Sequence, residues 1–216
     1  MTTDTTAPSN SAARILFYLG ALVALSHLAN EWVKLAPPWG LAWKAGGSVL
    51  LGFYALSQRA WIAGLGLLLS SAGDVLLELD GLFVGGMAAF GLAHVCYAIV
   101  FAGFIRRDGL NKSAWPLAAL VLIVSIALGV WLAPGMKELT APALAYQAII
   151  SAMVTLAMLS KAPLIARLGA ATFMLSDTLI AVGLFRGIEV VPGSVWISYA
   201  AAQIMLALGF TKTKIF

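Results

Sequence analysis

The chain has 216 residues, 62% hydrophobic and only 10% charged, with a mean hydropathy of +0.97 and a formal net charge of +4. A water-soluble domain cannot hide that much apolar surface, so the composition reads as an integral membrane protein. The basic residues are scattered between apolar runs, which argues against nucleic acid as a partner, and the single cysteine, Cys96, excludes an intrachain disulfide.

In chain order, residues 1–13 are small and polar and are expected to form a disordered tail. Arg14 and the apolar run after it imitate a signal peptide, but Ser26, His27, Asn30 and Glu31 follow without a small-x-small cleavage site, so this run is taken as the first span. At about 17 to 25 apolar residues per crossing, residues 14–211 divide into eight helices: 14–31, 38–57, 60–79, 82–105, 114–132, 141–160, 163–185 and 192–211. Residues 212–216 are left as a short C-terminal tail. Pro38, Pro116, Pro142, Pro163 and Pro192 fall at span starts, where a missing N–H costs nothing. All seven tryptophans lie near span ends, at the level an indole prefers in a bilayer.

Arg14, Arg59, Arg106, Arg107, Lys112, Lys161, Lys212 and Lys214 share one side of this arrangement, which is therefore expected to be cytoplasmic together with both termini. The fold class is all-α: a polytopic eight-helix transmembrane bundle. Its short N-terminus and compact loops suit a bacterial inner membrane.

The sharpest signals are two acidic residues in apolar runs, Asp74 in "GLLLSSAGDVLLELD" and Asp177 in "FMLSDTLIA". A charge at the bilayer centre costs on the order of 3 kcal/mol, so such a carboxyl is expected to face the bundle interior with a partner. Each lies about 14 residues from the start of its span, giving them a common depth at 1.5 Å per residue. A four-plus-four repeat would place them in matching positions. Protonated carboxyls serving only as interhelical glue are the structural alternative.

Helical spacing puts Ser70, Ser71 and Glu78 on the face of Asp74, with Gly73 allowing close approach. Ser176 precedes Asp177 and Phe173 stands one turn back. His94 and Tyr97 share a face with Phe90, and Tyr199 and Gln203 share another. Tyr146 and Gln147 read as packing partners. Lys44 lies a turn or two inside its span, where it either snorkels to the interface or meets a lipid phosphate. Two histidines cannot build a three-histidine zinc site, and no phosphate-cradling loop, H-E-x-x-H or G-x-S-x-G is present, so neither metal nor cofactor is expected. What remains is acid and base work by carboxylates, in an enzyme or in the proton relay of a proton-coupled transporter.

Four segments, "LLLSSAGDVLL", "FVGGMAAFGLAHVCY", "LGAATFMLSDTLIA" and "SYAAAQIMLALG", resemble in order those that mark the YhhN family of eight-span membrane proteins, over about residues 44 to 209. By position the family pattern falls on Gly73, Asp74, Phe90, His94, Tyr97, Gly169, Phe173, Ser176, Asp177, Tyr199, Gln203 and Gly209. Lys44 matches a family lysine commonly followed by proline, but Ala45 follows here. The resemblance implies hydrolysis of the vinyl ether bond of a lysoplasmalogen, giving a fatty aldehyde and glycerophosphoethanolamine or glycerophosphocholine, with a lysophospholipid as partner.

Protonation of the alkene carbon would be the slow step of that reaction, and two carboxyls in a low dielectric suit it: one keeps a proton to donate, the other stabilises the cation. Either aspartate could be the acid; the drier surrounding that Phe173 and Met174 offer, compared with Ser70 and Ser71 beside Asp74, leans toward Asp177. Lys44, Ser70, Glu78, His94, Tyr97, Ser176, Tyr199 and Gln203 are the candidate substrate-binding residues.

Overall fold

The computed structural model describes residues 10–212. Among these the regular structure is helical: α1 (Asn10–Ser26), α2 (Asn30–Val33), α3 (Trp39–Ser57), α4 (Trp61–Leu76), α5 (Phe83–Asp108), α6 (Trp115–Met136), α7 (Thr140–Leu159), α8 (Leu164–Arg186) and α9 (Ser194–Thr211). Of the expected N-terminal tail, residues 1–9 lie outside the described residues and 10–13 form the first turn of α1. Of the C-terminal tail, only Lys212 is described.

Among the described residues, five stretches are long and apolar enough to cross a membrane: Ser11–Val33, Phe83–Asp108, Lys112–Leu159, Leu164–Arg186 and Ser194–Thr211. With no water to satisfy backbone groups in hydrocarbon, helices are the form such segments must take. Two further helices, α3 and α4, fall outside this set. Lys44 and four glycines dilute the hydropathy of α3, and α4 has only 16 residues.

Local chemistry accounts for the departures from the expected bounds. The first span breaks into a 3-10 turn at His27–Ala29, beside Ser26, whose hydroxyl donates to the Val23 carbonyl at 3.0 Å and so competes with the helix ladder. Helix α4 stops at Leu76 rather than 79, so Glu78 lies in a turn and not on the helical face of Asp74. Helix α5 continues to Asp108, with Arg106 and Arg107 in its last turn, where cations suit the helix dipole.

Six helices close a ring of neighbours in the order α3, α4, α5, α7, α8, α9 and back to α3. Helix α1 packs outside against α3 and α9, and α6 outside against α7 and α8. Leu67, Tyr97, Phe101, Phe104, Met153 and Phe173 are fully buried at the centre of the ring. The outside of α6 is exposed and apolar, with Ile123, Ile126 and Val130 pointing away from the bundle.

The basic loops gather at one end of the ring. There the Lys161 ammonium donates to the Asp108 carbonyl at 2.8 Å, the Asn111 N–H donates to Leu159 O at 2.8 Å, and the Tyr54 and Thr211 hydroxyls meet at 2.9 Å. At the opposite end Lys44 is ion-paired with Glu78. Trp32, Trp39, Trp61 and Trp115 are exposed at helix ends, but Trp43 and Trp196 turn inward. The Trp43 indole N–H donates to Ser26 Oγ at 3.0 Å, and that of Trp196 donates to Ala24 O at 2.7 Å.

Candidate active site

Asp74 is the fourteenth residue of α4 and Asp177 the fourteenth of α8, counted from Trp61 and Leu164. Both border one cavity of about 180 Å³ in the half of the bundle where Lys44 and Glu78 pair. Its other polar walls are Lys44, Tyr146, Gln147, Ser176, Thr178 and Tyr199. The remainder is apolar, with Met87 from α5, Leu128 and Leu132 from α6, and Ala181, Leu184 and Phe185 from α8. The polar groups thus come from α3, α4, α7, α8 and α9, whereas α6 contributes only apolar side chains.

Asp74 is 3% exposed and anchors a chain of hydrogen bonds that crosses four helices. The Tyr199 hydroxyl donates to Asp74 Oδ2 at 2.7 Å, and Gln203 Nε2 donates to the Tyr199 oxygen at 2.9 Å. Tyr97 O–H donates to Gln203 Oε1 at 3.1 Å. The Tyr199 and Tyr97 protons being committed, Ser48 Oγ donates to Tyr199 and Ser70 Oγ to Tyr97, each at 3.3 Å. Every donor therefore points toward Asp74, an arrangement in which successive bonds polarise one another.

Asp177 is more open, its side chain 16% exposed. The Tyr146 hydroxyl donates to its Oδ2 at 2.5 Å, and His94 Nε2 stands 3.9 Å from the same oxygen. Phe173, fully buried, packs against both His94 and Tyr199, its ring centroid 4.5 Å from the first and 5.4 Å from the second. The expectation that Asp177 is the drier carboxyl is corrected, because Asp74 is the more enclosed. Ser70 and Ser71 do not wet it, since their hydroxyls bond Tyr97 and the Ala45 carbonyl instead.

Several candidate binding residues stand behind the wall. Ser70, Glu78, His94, Tyr97 and Gln203 do not border the cavity. Ser70, Tyr97 and Gln203 belong to the hydrogen-bond chain, and Glu78 reaches the cavity only through Lys44. Ser176 borders the cavity but spends its hydroxyl on Val195 O at 3.0 Å. In the other direction, Tyr146 and Gln147 are wall residues and not mere packing partners, and Trp196 joins them. The available signal was the adjacent polar pair Tyr146–Gln147 inside an apolar helix. Trp196 carried none, because an indole at a span end reads first as an interfacial anchor.

Two glycines set the geometry. A Cβ on Gly73 would lie 2.5 Å from the Phe90 ring, and one on Gly66 would lie 2.5 Å from the Tyr97 ring. Only hydrogen at these positions lets α5 press its aromatics against α4 and hold Phe90 at the cavity beside Asp74.

Comparison with known proteins fits these residues into a lineage. Proteins named lysoplasmalogenase from Mycobacterium bovis (strain ATCC BAA-935 / AF2122/97) and Mycobacterium tuberculosis (strain CDC 1551 / Oshkosh) are each 35% identical to this chain over 181 residues, covering 78% of it and 69% of theirs. No solved structure matches significantly. The model of the YhhN family matches residues 39–210, a stretch that holds both aspartates and all the wall residues named above, and the chain belongs to that family.

Proposed function

We propose that this protein is a lysoplasmalogenase, hydrolysing the vinyl ether bond of a lysoplasmalogen to a fatty aldehyde and glycerophosphoethanolamine or glycerophosphocholine. The observation that carries this reading is two carboxyls on the wall of one largely apolar cavity, in a chain 35% identical to proteins of that name. A lysolipid has one chain and one headgroup. The apolar wall toward α6 suits the chain, and Lys44 suits the headgroup phosphate.

The reaction follows from the two carboxyls. The donor chain behind Tyr199 favours the carboxylate form of Asp74, whereas Asp177 meets the single Tyr146 hydroxyl, so Asp177 is assigned as the acid and donates its proton to the β-carbon of the alkenyl ether; the C=C electron pair forms the new C–H bond, and the ether oxygen shares the positive charge. Asp74, held by the directed donors behind Tyr199, is the carboxylate that stabilises this oxocarbenium ion. Water adds to the α-carbon as Asp74 takes its proton, giving a hemiacetal. The hemiacetal collapses to aldehyde: its hydroxyl proton returns to Asp177, and Asp74 protonates the departing glyceryl oxygen. Both groups end as they began, with one water consumed.

In the membrane, α3 and α4 cross as well, giving eight spans with α1 and α5–α9 over residues 14–211. The basic loops face the cytoplasm with both termini, and the membrane is a bacterial inner one. The test is aldehyde release from lysoplasmenylethanolamine by the purified protein in detergent micelles. An enzyme turns over there without a gradient, whereas a proton-coupled transporter needs two compartments. Absence of aldehyde would end the reading.

A further inference from the structure

His94 is the most anomalous polar residue in the bundle. It is fully buried, and neither ring nitrogen has a hydrogen-bond partner. Its ring packs edge-on against Phe173 at 4.5 Å and Tyr146 at 5.4 Å, a setting an aromatic hydrocarbon would fill without leaving two polar atoms unsatisfied. It does not border the cavity. Its Nε2, however, stands 3.9 Å from Asp177 Oδ2, about one ångström longer than an ordinary N–H···O hydrogen bond.

Resting on the reading of Asp177 as proton donor, we infer that His94 is a positioning residue whose Nε2–H bonds Asp177 only once that carboxyl has given up its proton. With neither nitrogen engaged, nothing locks the tautomer, and the hydrogen is free to stand on Nε2. While Asp177 is a neutral acid, the Tyr146 hydroxyl on Oδ2 is sufficient. When the proton leaves for the alkene, a bare carboxylate forms in a low-dielectric wall, and Oδ2 has a second lone pair to offer. Closing the gap to His94 then stabilises the charge that develops. A bond absent in the ground state and made in the transition state lowers the barrier, whereas one made equally in both does not.

The test compares His94→Phe, His94→Met and His94→Gln in the micellar aldehyde assay, with kcat, KM and unfolding temperature measured for each. Phe and Met fill the site without a donor, and Gln keeps an N–H. The expected result is a kcat about 100-fold lower for Phe and Met, with KM changed less than about threefold, and recovery by Gln to within about tenfold of wild type. Should the Phe variant fail to fold, the Met and Gln pair carries the comparison. Wild-type kcat in the donor-less variants, or equal kcat in all three, overturns the inference. Aldehyde release by the wild type and its loss in Asp177→Asn test the underlying reading separately.

Discussion

Tyr199 in α9 and Asp74 in α4 are joined by a 2.7 Å hydrogen bond in which the phenol is the donor, and two further donors, Ser48 and Gln203, stand behind that phenol. Tyr199→Phe removes the donor while leaving the ring that packs against Phe90, Phe173 and Trp196. The variant is expected to fold and to lose about 10- to 1000-fold in kcat, as when one preorganised donor is removed from a developing charge. Aldehyde release in micelles checks it; unchanged kcat would mean that the chain serves stability alone.

Asp177→Asn retains shape but cannot donate the catalytic proton. Its turnover is expected to fall by about 10² to 10⁴-fold with the unfolding temperature kept within a few degrees, the range general acids contribute. Near-full activity would require another acid and would remove Asp177 from the mechanism.

Lys44 borders the cavity and pairs with Glu78, whose side chain is 49% exposed. Such an open pair contributes about 0 to 1 kcal/mol to stability, so Lys44→Ala is expected to melt almost as the wild type. If its ammonium meets the lipid phosphate, KM should rise about tenfold, the equivalent of one charge-assisted hydrogen bond. Equal KM values for the two proteins would place the headgroup elsewhere.

Leu132 in α6 is 3% exposed and forms part of the apolar wall of the cavity. Leu132→Trp is expected to shorten the space for a hydrocarbon tail, so that kcat/KM falls for long alkenyl chains and holds for short ones. A series of lysoplasmalogens of graded chain length reads this directly, and a uniform fall across the series would argue against a tail site there.

Gly73→Ala brings a methyl group to 2.5 Å from the Phe90 ring, which borders the cavity. Overpacking of this kind costs about 1 to 3 kcal/mol, so a lower unfolding temperature in detergent is expected together with reduced kcat. A variant that melts and works like the wild type would show that α4 and α5 can separate freely.

The helical stretches were legible because hydrophobic run length and proline placement are local properties. The expected span 38–57 meets α3 at Trp39–Ser57, and 163–185 meets α8 at Leu164–Arg186. Asp74 and Asp177 stood out because an acid in an apolar run demands a reason. Ring order is another matter: whether Tyr97 faces substrate or Gln203 depends on which helix lies behind it, and a single helix carries no record of its neighbour. The same holds for Tyr146, whose phenol meets Asp177 across 31 residues of sequence, and for Trp196, which a linear reading leaves at the interface. The place of Glu78 was missed for a local reason, the early stop of α4 at Leu76.

That early stop has a bearing on solvent supply. Sixteen residues rising about 1.5 Å each reach roughly 24 Å, short of a hydrocarbon layer about 30 Å thick. If α4 crosses such a layer, as proposed above, the turn that opens at Leu77, three residues beyond Asp74, and carries Glu78 and Asp80 falls short of the headgroup plane. On the proposed eight-span reading, such a dimple would shorten the path of water, the second reactant of a hydrolysis, through the hydrocarbon toward the cavity.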